Sequence, residues 1–446
     1  MRSPQKIKAS LVVLIMFGVS ALLMALVFLY FKLVPNDSTT LHNDKIILTL
    51  NGPWKFNAGD NPQWAQPDFN DSGWKTADFT APPGARDDDV GISGYIPGWT
   101  SKGFPNLSGY AWYRIKVPLE NLQGKNLALL APPAVDDAYQ VYIDGALVGS
   151  SADFSGTRPI IYSIKPTLLP LPEKTKIENN ITIAFRVWMS PNRVGTPDVG
   201  GIHVAPALGG KTDIELIYQF QWHQTIKGYI VEVVIPFIFT LLALTLFFLR
   251  QKKILSHPCK WFIVGLILIA LLRLNQAVYF WFDVESARQF SIVTPILITP
   301  FIAGSWILAW WEWYDLRKHK WIPIIVAILT VIYLVSQVMK QSWIFVSINH
   351  APFQTIVDYT RLIYVLLMLF IIYQAFVKFG LKEWLTILAS IIISIGIFPK
   401  EVSDMHIIPG IWFPYGVGVT RGQFGYGIFA LLMFVILIQK SREIPA

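Results

Sequence analysis

One cysteine, Cys259, in 446 residues leaves this chain no disulfide of its own, so its folded parts are held by packing even where the surroundings are oxidising. Charge is thin as well, at 15% of residues against about a quarter in soluble globular chains. Familiar chemical signatures are missing too. There is no Walker loop, no H-E-x-x-H and no G-x-S-x-G, which removes the common sequence marks of phosphate-loop, zinc-peptidase and serine-hydrolase sites. What the chain has instead is apolar mass, with 53% of its residues hydrophobic.

That mass is unevenly placed. From about residue 36 to 223 the chain is polar, rich in Gly, Pro and Asp, and holds no apolar run able to cross a bilayer. Residues 11–31, by contrast, are an unbroken apolar run, about 31 Å long as a helix, which matches the hydrocarbon thickness. Arg2, Lys6 and Lys8 precede it and no A-x-A site follows, so it reads as an uncleaved signal anchor with its amino terminus inside. Seven more apolar segments follow residue 223, centred near Phe239, Leu268, Ile302, Thr330, Leu367, Ile391 and Leu431, the sixth being short and ending at Pro399. The expected organisation is an anchor over 1–35, an outer domain over 36–222, a seven-helix region over 223–440 and a tail over 441–446.

The net charge of +8 does not point to nucleic acid, because the polar region is net acidic and the surplus Lys and Arg flank apolar segments. The clusters RQKK (250–253) and RKHK (317–320), then Lys378 with Lys382, and finally Lys440 with Arg442, fall on alternate connections. By the positive-inside rule both termini are then cytoplasmic and the polar domain is outside. Trp310, Trp311, Trp313 and Tyr314, just before RKHK, read as an aromatic belt at the inner interface.

Period-two alternation marks strands in the outer domain: Ala111, Tyr113, Ile115 and Val117 share one face, as do Tyr139, Val141 and Ile143, and Ile181, Ile183, Phe185 and Val187. Asp144-Gly145 between two such runs is a hairpin signal. Short strands with Pro and Gly turns predict an antiparallel β-sandwich, a fold class joined here to an α-helical transmembrane bundle.

NGPWKF (51–56), PDFNDSGW (67–74), GYAWYRIKV (109–117), VDDAYQVYIDGALVG (135–149) and ITIAFRVW (181–188) together resemble the amino-terminal sugar-binding-type jelly roll of the β-galactosidase and β-glucuronidase family. The resemblance implies a galactose-binding-like sandwich. An outer jelly roll before about seven spans is similar to bacterial seven-transmembrane receptors with diverse intracellular signalling modules, which implies a bacterial inner (cytoplasmic) membrane and a cytoplasmic kinase or phosphatase partner. Only residues 439–446 follow the last span, so that output is expected elsewhere.

No catalytic set stands out. Asp87, Asp88 and Asp89 are adjacent and cannot flank a glycosidic bond from two sides; they read as a solvated loop, with a calcium site as the rival. Trp54, Trp74 and Trp112 read as sandwich core. The Gly- and Pro-rich loop around Tyr95, Trp99 and Phe104 suits a binding surface for a small ligand or carbohydrate, with polar contacts from Arg158, Trp188, Arg193 and His203. His203 alone makes no metal site, and no cofactor is expected. In the apolar region Glu232, Arg273, Asn275, Gln276, Glu312 and Arg361 are costly unless they face the bundle or water, and are read either as a static polar network or as parts of a switch. The expected function is a ligand-binding membrane sensor that is not itself an enzyme, the alternative being a transporter or membrane-embedded enzyme subunit with an accessory outer domain.

Overall fold

β-Branched and aromatic residues at every second position stand on one side of a pleated strand, and the register shows where each set goes. The computed structural model describes residues 4–33, 47–85, 93–120, 122, 126–176, 179–191, 199–255, 259–341, 343–345, 348–404 and 421–443; Asp87, Asp88, Asp89 and Arg193 lie outside them. After helix α1 (Pro4–Leu33) come the strands β1 (Ile47–Thr49), β2 (Trp54–Ala58), β3 (Lys75–Ala77), β4 (Gly109–Pro118), β5 (Leu127–Leu130), β6 (Val135–Asp136) and β7 (Ala138–Ile143). The series continues with β8 (Ala146–Ser150), β9 (Ala152–Asp153), β10 (Ile160–Ile161), β11 (Leu168–Pro170), β12 (Asn180–Met189), β13 (Gly201–Ile202) and β14 (Ala207–Gly210). They build a six-stranded sheet in the order β3-β2-β4-β12-β7-β8, a four-stranded sheet in the order β1-β14-β5-β11, and two ribbons, β10-β9 and β13-β6. All the pairings are antiparallel.

The two larger sheets share one core. Phe185 pairs with Tyr113 on one side and Val141 on the other, and these residues meet Leu129, Leu169 and Leu208 of the four-stranded sheet in a single buried cluster. Each such side chain contributes roughly 1.5–3 kcal/mol by leaving water. Asp144 and Gly145 both have positive φ, 46° and 83°, between Ile143 and Ala146, which pair; this is the hairpin the Asp-Gly pair predicts.

Strand β4 departs from simple alternation. Ala111, Trp112, Tyr113 and Arg114 are buried in succession, so both faces of the strand are covered. Trp54 lies in the inter-sheet core with its indole N–H donating to the Leu50 carbonyl at 2.8 Å. Trp112 lies on the opposite face, in a small cluster with Ala65, Ala184, Trp64, Trp74 and Tyr142. The expectation that Trp74 and Trp112 fill the sandwich core is corrected accordingly: residues 61–74 fold over the outer face of the sheet and make a second, smaller core there. Asn61 starts that cover, its side chain accepting from the Gln63 N–H at 3.0 Å to cap the turn Pro62–Ala65.

Helix α2 (Lys211–Tyr229) leaves β14 directly and lays Ile214 and Ile217 on Ala128 and Leu130, the outer side of the four-stranded sheet. It runs into α3 (Val231–Gln251), followed by α4 (Lys260–Trp281), α5 (Ala287–Ser291), a π-helical stretch (Ile292–Ile298) and α6 (Thr299–Trp313). Then come α7 (Trp321–Met339), α8 (Ala351–Phe379), α9 (Trp384–Ile397), α10 (Pro399–Asp404) and α11 (Arg421–Glu443). Among the described residues seven stretches are long and apolar enough to cross a membrane. The longest, Ala351–Ile397, is folded in two at Gly380 (φ 57°). Arg361 on α8 reaches Glu401 on α10 at 2.9 Å, whereas a straight helix would hold them about 60 Å apart.

Trp310, Trp313 and Tyr314 are buried, and Phe262 of α4 packs edge-on between Trp306, Trp310 and Trp313, with ring centroids at 5.6, 4.9 and 5.1 Å. The aromatic-belt expectation is thus corrected for these three: they fill the bundle, because residues three and four apart on α6 share its inner side.

A fragment of residues 36–229, which keeps α2 over Ala128 and Leu130, should be a soluble β-rich unit. In urea unfolding, Trp54→Ala should cost it roughly 3–5 kcal/mol, and Trp74→Ala, half-buried under the outer cover, clearly less. Equal losses would contradict the two-core arrangement.

Candidate functional site

The outer face of the six-stranded sheet carries the charged residues of the strands. Lys55 on β2 sits directly opposite Arg114 on β4, and Lys116, two residues on, shares that face. Arg114 is buried and clamps the cover: its Nε donates to Asp71 at 2.9 Å, a terminal nitrogen donates to the Trp64 carbonyl, and its guanidinium lies 5.5 Å from the Phe69 ring. Beside this clamp is a cleft of about 910 Å³, within the size range of small-molecule sites. Lys55, Arg114 and Lys116 line it with Asn51, Thr80 and Phe69.

Farther along the same face, Arg186 on β12 is fully answered. It donates to Asp60 at 2.8 and 2.5 Å and to the Gln140 amide oxygen at 2.8 Å, and it lies 4.0 Å over the Tyr110 ring. Asp60 also accepts from the Trp112 indole at 3.1 Å. Burial pushes the Asp60 carboxyl up, but the hydrogen bonds from Arg186 and Trp112 and the charge of Arg186 outweigh it and hold the group below its ordinary value. This knot ties the cover to the sheet.

The sequence-predicted ligand residues lie elsewhere. Trp99 is 2% exposed and its indole donates to the Tyr113 hydroxyl at 2.6 Å inside the core, so its ring meets protein rather than solvent. Phe104 packs on Phe56, with centroids 5.0 Å apart. His203 is buried, with Nδ1 3.0 Å from the Ile96 carbonyl, Nε2 3.2 Å from Asp136 and its ring stacked at 4.7 Å on Tyr95. Tyr95, Trp99, Phe104 and His203 therefore gather as the packing of one loop, which folds back because its own rings are its most apolar surface. Trp188 is buried on β12, its ring and that of Tyr110 edge-to-face, and Arg158 is exposed. None of these lines the cleft. Lys55, Arg114 and Lys116 were missed, although W-Y-R-I-K on β4 already places Trp112, Arg114 and Lys116 on the face opposite Tyr113 and Ile115.

In the bundle the polar candidates find partners. Arg273 on α4 lies 3.2 Å from Glu232 on α3, 2.9 Å from the Gln276 amide oxygen and 3.4 Å from the Tyr426 hydroxyl on α11. Gln423 also donates to Glu232, and the Tyr426 hydroxyl donates to the Gly396 carbonyl of α9 at 2.6 Å. Asn275 donates to Thr294 of the π-helical stretch at 3.2 Å, Glu312 lies 3.7 Å from Lys260, and Arg361 pairs with Glu401. No group of His, Cys, Asp and Glu among the described residues is arranged to hold a metal.

No family model and no curated protein matches the chain. Solved structures match part of it. A calcium-binding mutant of Bacteroides uniformis β-glucuronidase 2 is 21% identical, the match covering 37% of this chain and 18% of that one at a TM-score of 0.26. For a β-glycosidase from Bacteroides vulgatus the figures are 20% identity, 36% and 20% coverage and a TM-score of 0.25. For a β-glucuronidase from Ruminococcus gnavus they are 13% identity, 37% and 30% coverage and a TM-score of 0.24. At these scores the likeness carries no argument about chemistry, and the chain spans about a fifth of the first of these enzymes. The matched proteins are nonetheless glycoside hydrolases, so the sequence-based expectation that this chain is no enzyme is withdrawn.

Two outcomes follow from the geometry. A carboxyl held low contributes stability above its unfolded pKa of about 3.9 and loses it as the pH falls through the folded value; acid unfolding of the 36–229 fragment should therefore be less steep below about pH 4 in Asp60→Asn than in the parent. In detergent, Arg273→Leu should destabilise the full chain by about 3–5 kcal/mol by stranding Glu232, and adding Glu232→Leu should recover much of that loss. An additive double variant would show that the two are not coupled.

Proposed function

We propose that the chain is a bacterial cytoplasmic-membrane sensor that holds a jelly-roll, galactose-binding-like domain outside, binds a small polar ligand such as a carbohydrate in the cleft beside Arg114, and passes occupancy to the helical bundle and on to a cytoplasmic kinase or phosphatase. The observation that carries this reading is helix α2, which belongs to both halves of the molecule. Its first turns bury Ile214 and Ile217 against the sandwich. Its last residue, Tyr229, stacks on Phe280 of α4 at 4.1 Å, and three residues later Glu232 meets Arg273. A displacement of the four-stranded sheet is thus delivered to the head of α3, next to a buried charge pair that can exchange partners. Lys165 of the sandwich pairs with Asp283 in the α4–α5 connection, a second tether between the same two bodies.

Cys259 is buried, which gives a silent background for labelling. Glu120→Cys should react with a membrane-impermeant maleimide on intact cells and Lys318→Cys only after permeabilisation; the reverse pattern would overturn the orientation. A thermal-shift screen of the full chain in nanodiscs against mono- and oligosaccharides should yield stabilising ligands. Ile217→Asp should keep the binding and lose the downstream response, whereas loss of neither would contradict the role of α2.

A further inference from the structure

The cleft beside Arg114 has an unbalanced charge. Lys55 and Arg114 are directly opposed on β2 and β4, where like charges are destabilising, and Lys116 adds a third cation to the same wall. Among the described residues of the lining the one carboxylate, Asp71, is engaged by Arg114 at 2.9 Å. Among the described residues neither Lys55 nor Lys116 has a carboxylate within ion-pair distance. The same sheet face shows how this fold holds a cation in a structural role, since Arg186 is met by both oxygens of Asp60 and by Gln140. The surrounding outer region is net acidic, so the cleft is a positive spot in a negative field, able to concentrate anions at its mouth.

We propose that the ligand of this cleft carries an oxyanion, a carboxylate, sulfate or phosphate group, which Lys55 and Lys116 hold while Arg114, fixed by Asp71, lends its charge from the floor. Asn51 and Thr80 offer neutral hydrogen-bonding groups, and Phe69 an apolar face, to the rest of the molecule. An acidic saccharide combines all of these features; free phosphate has the charge alone. Two lysines are suited to this task because an ammonium is a mobile point charge that does not need the fixed planar geometry of a guanidinium. This assignment rests on the ligand-binding reading above and narrows it.

The test is a titration of the full chain in neutral-lipid nanodiscs with three probes: tetragalacturonate, its methyl-esterified neutral counterpart, and inorganic phosphate. Tetragalacturonate should bind, and its affinity should fall about tenfold or more both in Lys55→Gln/Lys116→Gln and on raising the salt from roughly 50 to 300 mM. Lys55→Arg/Lys116→Arg should keep most of it. Lys116 is exposed and Lys55 half-buried, and a melting temperature equal to the parent's separates lost binding from lost folding. Phosphate binding that competes with tetragalacturonate supports the oxyanion site; phosphate binding without saccharide binding supports it too and identifies a free anion as the source. Equal affinity for the esterified probe, unchanged in the glutamine variant, would overturn the oxyanion assignment and leave the ligand-binding reading standing. Absence of binding by all three probes would overturn the assignment, and it would bring down the ligand-binding reading as well if the neutral saccharides of the wider screen were also silent.

Discussion

Glu232 and Arg273 meet within 3.2 Å, the carboxylate buried and the guanidinium largely so, and the arrangement of the bundle follows from the need to keep those two charges paired. A lone charge between apolar helices is costly, so α3 and α4 must stay in register with each other. Gln423 and Tyr426 bring α11 to the same point, and Tyr426 passes the connection on to α9 through Gly396. Four helices thus share one polar knot. It lies at the head of α3, one turn beyond the end of α2, where the β-sandwich hands its chain to the bundle. A second knot, Arg361 with Glu401 and the Tyr333 hydroxyl, closes α7, α8 and α10 in the same way.

The β-sandwich applies an opposite logic to its two kinds of cationic centre. Arg186 and Arg114 are each gripped by a carboxylate within the protein and hold residues 60–74 on the sheet, which makes the cover part of the fold. Among the described residues Lys55 and Lys116 are left without a carboxylate partner. That contrast, more than the presence of a cleft, is what makes the Lys55 wall a candidate for chemistry: the fold spends carboxylates where it needs rigidity and withholds them where the cleft opens.

Much of this was legible in the residues. Alternation on β4, β7 and β12 placed the inward faces correctly, the Asp-Gly pair marked its hairpin, and the apolar runs marked the helices, including the short one before Pro399. The candidate site was less legible. Trp99 and His203 carry the chemistry of binding residues, but a loop rich in Gly and aromatics satisfies itself by folding its rings inward, and sequence does not show which way a loop closes. The cover over Trp112 was hidden for a similar reason. Residues 61–74 look like a polar connection, and only the burial of four successive residues on β4 reveals that something lies on top. Helix α2 was overlooked because its apolar residues are few and serve two different surfaces, which blurs any single period. Arg273 was visible as an anomaly, while its partner 41 positions away required the fold.

The central claim is that α2 conveys the state of the outer cleft to the bundle. Amide hydrogen exchange of the full-length protein in nanodiscs, with the cleft empty and then saturated, reads this directly. The account predicts that occupancy alters protection across residues 211–235, through α2 and the first turn of α3, as well as around Lys55 and Lys116. A change confined to the cleft strands, with 211–235 exchanging identically in both states, would contradict it.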